Sequence, residues 1–119
     1  MSQGFKDLKV WQKAMKLAVT VYELTKPFPK EELYGLTSQL RGSAISIPSN
    51  IAEGQGRLNP GEFKQFLGVA RGSNFELQTQ LELAQALKYG DSVRIDSAMK
   101  DSHEVGRMLY ALVESLSSN

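Results

Sequence analysis

Three breakpoints divide the 119 residues into four long stretches, and inside each the apolar residues recur every three or four positions. The breakpoints are Pro27-Phe28-Pro29, the segment from Gly54 to Pro60, and Gly90. Such spacing marks one face of an α-helix, and no stretch shows the alternation of a half-buried strand. Long amphipathic helices joined by short connections pack most simply against antiparallel neighbours. The expected fold is therefore all-α, an antiparallel up-down-up-down four-helix bundle forming one domain over residues 1–119.

The first helix is expected from about Lys6 to Lys26, with Leu8, Trp11, Met15, Ala18 and Tyr22 as its core stripe. Proline ends it, because the ring removes an N–H and biases the preceding residue out of the helical region. The second helix is expected from Lys30, with Glu31 and Glu32 favourably placed in its first turn. Its stripe is Leu33, Leu36, Leu40, Ala44, Ile47 and Ile51. Pro48 stands inside that stripe, yet the apolar phase is the same on both sides. The spacing predicts a proline-kinked second helix rather than a stop, with Ser46 or Ser49 helping to satisfy backbone groups near the freed Ala44 carbonyl. Gly54 and Gly56 are expected to form the exit, glycine being cheap in the left-handed cap conformation.

The third helix opens at Asn59-Pro60-Gly61-Glu62, where Asn59 reads as N-cap, Pro60 as first helical residue and Glu62 as the capping-box partner. Its stripe is Phe63, Phe66, Ala70, Asn74, Leu77, Leu81 and Ala84, and Gly90 ends it after roughly 45 Å. The fourth helix runs from about Ser92 to Ser117 on Ile95, Ala98, Val105, Leu109, Leu112 and Leu116. The third helix carries more apolar residues than one face needs. Val69, Leu83 and Leu87 form a second flank, with Phe75 beside a strip of Gly68, Gly72 and Thr79. A helix apolar on two sides buries both, which points to self-association, or to a third helix that sits deep between its neighbours.

Composition removes several functional classes. The chain has no cysteine, so neither disulfides nor thiolate chemistry apply. No apolar run is long enough for a membrane span, and Met1–Val10 lacks a signal-peptide pattern. A cytoplasmic protein without membrane contact is expected. The only histidine, His103, falls on the outer side of the fourth helix, and no Glu-x-x-His pair exists. Neither a di-metal bundle site nor a nucleophile–His–acid set can be built around it. Gly54-Gln55-Gly56 follows no strand and is no dinucleotide loop. The expectation is a non-enzymatic protein with no cofactor and no metal.

What remains is surface. Residues 1–30 hold six lysines against two acidic residues, a net charge of +4, whereas residues 91–119 hold three basic against five acidic ones, a net of −2. Lys6, Lys9, Lys13 and Lys16 recur at helical pitch opposite Leu8, Trp11 and Met15. A row of this kind follows a phosphate backbone by charge, and repetition in an assembly would strengthen it; the alternative is an ordinary solvated face. Ser46, Ser49, Asn50 and Glu53 form a polar stripe on the second helix, with Arg41 and Arg57 further along it. Solvated helix faces favour Lys, Glu and Gln, so a Ser- and Asn-rich stripe suggests an interface with a subunit or a nucleic-acid backbone; the alternative is a solvated face plus the hydrogen bonding of the kink. Arg71, Glu76 and Gln80 lie off the core stripe of the third helix. Arg71 and Glu76 are badly spaced to pair on one helix, so they are expected to meet other helices or subunits, or to form a buried structural network.

At these positions the chain resembles the 23S rRNA intervening-sequence protein family. The resemblance rests on Phe5-x-Asp7-Leu8-x-Val10-Trp11-Gln12-Lys13-Ala14 and on Glu32-x-Tyr34-Gly35-Leu36-Thr37-x-Gln39-Leu40-Arg41. Its sharpest parts are Ser46-Ile47-Pro48-Ser49-Asn50-Ile51-Ala52-Glu53-Gly54 and Ala70-Arg71-Gly72-Ser73-x-x-Glu76-Leu77-x-Thr79-Gln80-Leu81. The resemblance implies a small bacterial bundle that forms a homo-oligomeric ring, typically a pentamer. Some members are encoded within insertions in 23S rRNA genes, which suggests RNA binding. A similar bundle is the accessory protein of diversity-generating retroelements, where a basic surface engages nucleic acid and a protein partner. The family often has a second basic residue after Arg41. Here that position is Gly42, which weakens this face as a phosphate grip.

Overall fold

A computed structural model describes residues 4–117. Four α-helices account for most of them: α1 (Lys9–Thr25), α2 (Leu36–Gln55), α3 (Pro60–Ala86) and α4 (Ser92–Ser117). Short 3-10 turns at Gly4–Asp7 and Lys30–Glu32 precede α1 and α2, and no strand occurs among the described residues. Each helix packs on the next, and α4 closes back on α1, with the most extensive contact between α2 and α3. Named contacts give the relative direction of the pairs. Ser46 meets Ser73, while Gly54, later in α2, lies against Phe63 and Phe66, earlier in α3. Asn74 meets Ser102 and Gln85 meets Asp96, so α3 and α4 also run opposite ways.

The core is aliphatic. Leu17, Val21, Leu40, Ile47, Ile51, Leu67, Leu77, Leu81, Val105 and Leu109 are all fully enclosed. Each such side chain contributes on the order of 1.5–3 kcal/mol relative to exposure. The α2 stripe keeps its phase through Pro48: Leu40, Ala44, Ile47 and Ile51 are buried on either side of it, within one continuous helix. Ser46 bonds Ser73 and Asn50 there, rather than the Ala44 carbonyl. Asn59 caps α3 as expected, its Oδ1 accepting the Glu62 N–H at 2.8 Å.

Four expectations are corrected. First, α1 turns a different stripe inward: Val10, Ala14, Leu17, Val21 and Leu24 are buried, whereas Met15 is 40% and Tyr22 38% exposed. Both stripes have helical spacing, and α1 must fit against α2 and α4 at once. The slimmer aliphatic set fits that wedge, and the bulkier Trp11, Met15 and Tyr22 overhang the α1/α2 seam. Second, α1 starts at Lys9 and α2 at Leu36, later than the periodicity suggested. Leu33 is accordingly half exposed, and Glu32 caps α2 by accepting the Leu36 N–H at 3.0 Å. Third, Gly54 lies in the last turn of α2, its carbonyl accepting the Arg57 N–H, but it takes no left-handed cap conformation. It is buried inside α2, where a Cβ would lie 2.6 Å from Phe66 Cβ, so its missing side chain permits the close α2/α3 approach. Gly56 ends the helix with a right-handed φ of −74°. Fourth, α3 stops at Ala86, and the chain turns through left-handed Lys88 and Gly90.

Candidate functional site

The residues expected to carry function divide into those the fold consumes and those it leaves free. Among the lysines, Lys6 sits on the first 3-10 turn, so only three lie along α1. Lys13 is engaged, 3.6 Å from Asp101 and 3.2 Å from Glu104 on α4. The hydrogen bond to Glu104 foremost, with help from Asp101, holds its ammonium above the ordinary lysine range against the opposing effect of burial. Lys6, Lys9 and Lys16 are exposed.

Arg41 is a clamp between helices. Its Nε donates to Thr25 Oγ1 at 2.9 Å, and its guanidinium lies 4.7 Å from the Tyr22 ring centroid. Both contacts hold the last turn of α1 against α2. Arg57 pairs with Glu53 at 3.2 Å and covers the Phe66 ring at 4.7 Å. The Ser/Asn stripe divides in two. Ser46 shares a 2.7 Å hydrogen bond with Ser73 and accepts another from Asn50, so these two residues belong to the α2/α3 seam. Pro48 is buried, and Ser49 is exposed toward the α1 side.

The three polar residues of α3 do not form one network. Glu76 is exposed at the rim of a polar cleft of about 270 Å³ with Gly42, Ser43, Ser46 and Ser73. Gln80 is partly buried, and its Oε1 has no hydrogen-bond partner. Arg71 is exposed between two rings, 5.7 Å from the Phe75 centroid and 5.6 Å from that of Tyr110 on α4.

Two surface features result. The first is an apolar groove of about 480 Å³ along the α1/α2 seam, walled by Trp11, Met15, Val19, Tyr22, Ile45 and Pro48. It takes in Met15 and Tyr22 of the stripe expected in the core, while Ala18 of that stripe stays buried and Leu8 and Trp11 pack partly against the core. The second is a cleft of about 330 Å³ between α3 and α4, lined by Arg71, Phe75, Gln78, His103, Gly106, Arg107 and Tyr110. Beneath it, Asn74 and Ser102 exchange hydrogen bonds at 2.9 and 2.7 Å, and Gln78 adds a third to Ser102. The apolar flank of α3 is exposed as well, Val69, Leu83 and Leu87 each keeping about half their surface. Among the described residues, no group of three His, Cys, Asp or Glu side chains converges on a metal position.

A family model described as 23S rRNA-intervening sequence protein matches residues 6–111. The chain belongs to this family. The fold of this member of the 23S rRNA-intervening sequence family has a solved counterpart. That counterpart is a crystal structure of a protein with unknown function from the S23 ribosomal protein family of Bacteroides thetaiotaomicron. The two share 23% identity with a TM-score of 0.78, over 87% of this chain and 97% of that one. At that identity the likeness concerns the fold alone. No curated protein matches this family member.

Sequence reasoning missed the partners of Arg71. His103, Arg107 and Tyr110 share one face of α4 at spacings of four and three, and that much was readable. Their meeting with Arg71 and Phe75 depends on how α3 and α4 are rotated against each other, which no local pattern records.

Proposed function

We propose that this protein is a non-enzymatic, cytoplasmic bundle that assembles with copies of itself into a closed ring, pentameric as the family resemblance implies, and binds RNA or DNA through cationic surface. One observation carries the assembly: the chain displays two exposed apolar surfaces that are unlike each other. One is the concave α1/α2 seam at Met15, Val19 and Ile45; the other is the α3 flank at Val69, Leu83 and Leu87. Unlike surfaces pair head to tail, and a head-to-tail contact closes a ring when its rotation divides a full turn. Apolar area of this kind is seldom left open on a monomer. Copying the chain around a ring also multiplies Lys9, Lys16, Arg71 and Arg107, and multiplied charge strengthens binding to a phosphate backbone. Among the described residues, no helix is long and apolar enough to cross a membrane.

Native mass measurement with and without single-stranded RNA tests both halves. The expected result is one discrete multiple of the 13.2 kDa chain, shifted further by RNA. A chain that stays monomeric at micromolar concentration would overturn the ring. A ring that shows no RNA or DNA shift even at low salt would overturn the ligand. The aromatic character of the groove favours a second reading, an oligomeric scaffold or accessory protein whose seam takes a different protein. Trp and Tyr are the residues that most often dominate such contacts. That reading predicts that the groove remains open in the assembled form.

A further inference from the structure

We propose that the α3/α4 cleft is a single-strand site, seating one nucleotide step with a base against Tyr110 or Phe75 and the flanking phosphate on Arg71 and Arg107. The proposal rests on the nucleic-acid reading above and adds the place and the strandedness of the ligand.

The first observation is the contrast in how the arginines are used. Arg41 and Arg57 are each tied by hydrogen bonds within the chain, while Arg71 and Arg107 make neither a hydrogen bond nor an ion pair among the described residues, Arg71 meeting only the two rings. Their charge is available to a ligand, and no carboxylate lines the cleft to cancel it. The second observation is ring exposure. Phe75 keeps 54% and Tyr110 52% of its surface. A guanidinium held near both rings is in the cation–π range, and such a guanidinium can turn outward to a phosphate while a base takes over the ring face.

Third, the cleft is built on a fixed floor. The Asn74–Ser102–Gln78 hydrogen bonds lock the two helices at this level. At Gly106 a Cβ would stand 3.2 Å from Asn74 Nδ2, so the glycine lets α4 come close enough to form the cleft. Size and chemistry then choose the ligand. About 330 Å³ is at the small end of ligand sites. Paired bases have their faces covered by the duplex stack, so aromatic platforms act on unpaired strands. Two guanidiniums without a platform would fit any polyanion; the rings make the difference.

The test uses the full-length protein and a labelled uridine-rich RNA of about twelve nucleotides, beside its duplex form. Tyr110→Leu is expected to weaken single-strand binding on the order of five- to a hundredfold, the loss of one stacked base, while Tyr110→Phe retains it. Arg71→Gln with Arg107→Gln is expected to flatten the dependence of log K on log salt by about 1.4. Circular dichroism and native mass should match the wild type in all variants, and Lys9→Gln with Lys16→Gln should weaken single-strand and duplex binding alike. Cleft variants that bind single strands as the wild type does would overturn the site while leaving the wider reading intact. So would competition by polyglutamate as effective as by RNA. A wild-type protein that binds no nucleic acid would overturn both.

Discussion

The α1/α2 and α3/α4 seams share one geometry and differ in what flanks them. Each is an opening between neighbouring helices of one bundle. The first is lined by Trp11, Met15, Val19 and Ile45 with no charged side chain in its walls, and Arg41, beyond its Tyr22 end, is already bonded to Thr25. The second is lined by Arg71, Arg107 and His103 around two exposed rings, over a polar floor of Asn74 and Ser102. An apolar seam loses free energy by staying wet, whereas a cationic seam is content in water until an anion arrives. On the proposed reading, the first takes contact with protein and the second a charged and planar ligand.

The largest expected effect lies on the apolar side. Ile45→Arg together with Trp11→Ala should release monomers of 13.2 kDa in native mass measurement, a loss of about 2–4 kcal/mol per contact, with circular dichroism unchanged. Assemblies that survive both changes would dissolve the contrast between the seams. Next comes a test of the close α2/α3 approach. Gly54→Val should lower stability to urea by about 1–3 kcal/mol, because Phe66 Cβ is 2.6 Å from the first added carbon. Gly42→Ala in the same helix meets no atom within 4 Å and should raise stability by about 0.5–1 kcal/mol.

Arginine substitutions sharpen the comparison further. Arg41→Met should cost about 1 kcal/mol of stability, through the lost bond to Thr25 and the lost cover on Tyr22, with RNA affinity unmoved. Arg71→Gln should do the reverse, lowering affinity while leaving the urea midpoint in place. A loss of RNA binding in Arg41→Met would return this face to the list of phosphate grips.

The smallest effect is alkaline. Lys13 is raised chiefly by its hydrogen bond to Glu104, and Tyr89 chiefly by the one it donates to Glu32. A group raised in the folded state favours folding fully below its unfolded value, and that contribution is lost as pH climbs through the folded one. Both contributions should therefore hold at neutral pH and fade above about pH 10–10.5. In thermal melts, the gap between wild type and Lys13→Met should be constant from pH 7 to about 10 and narrow beyond it. A gap that widens with alkali would reverse the sign.

Much of the candidate surface was legible in part. Lys9, Lys16 and Arg71 were singled out by position and are exposed, but their companions were not all readable. Lys13 looked equivalent to its neighbours and differs because Asp101 and Glu104 approach from another helix. Ser46 and Asn50 looked like recognition residues because a polar stripe facing a second helix has the same spacing as one facing solvent. Here Ser73 is the partner.

Four amphipathic helices, the Asn59 cap and the unbroken α2 stripe across Pro48 follow from neighbours in sequence. Spacing, caps and breaking residues act within a turn or two of the chain. The inward stripe of α1, the role of Gly54 and the meeting of Arg71 with Tyr110 belong to the packed molecule. They depend on helix rotation, which is set by the simultaneous fit of each helix to two others. α1 offered two stripes of equal spacing, and only the shape of the wedge between α2 and α4 chose between them. That choice put Met15 and Tyr22 on the surface and left Trp11 half-buried in the wall of the groove.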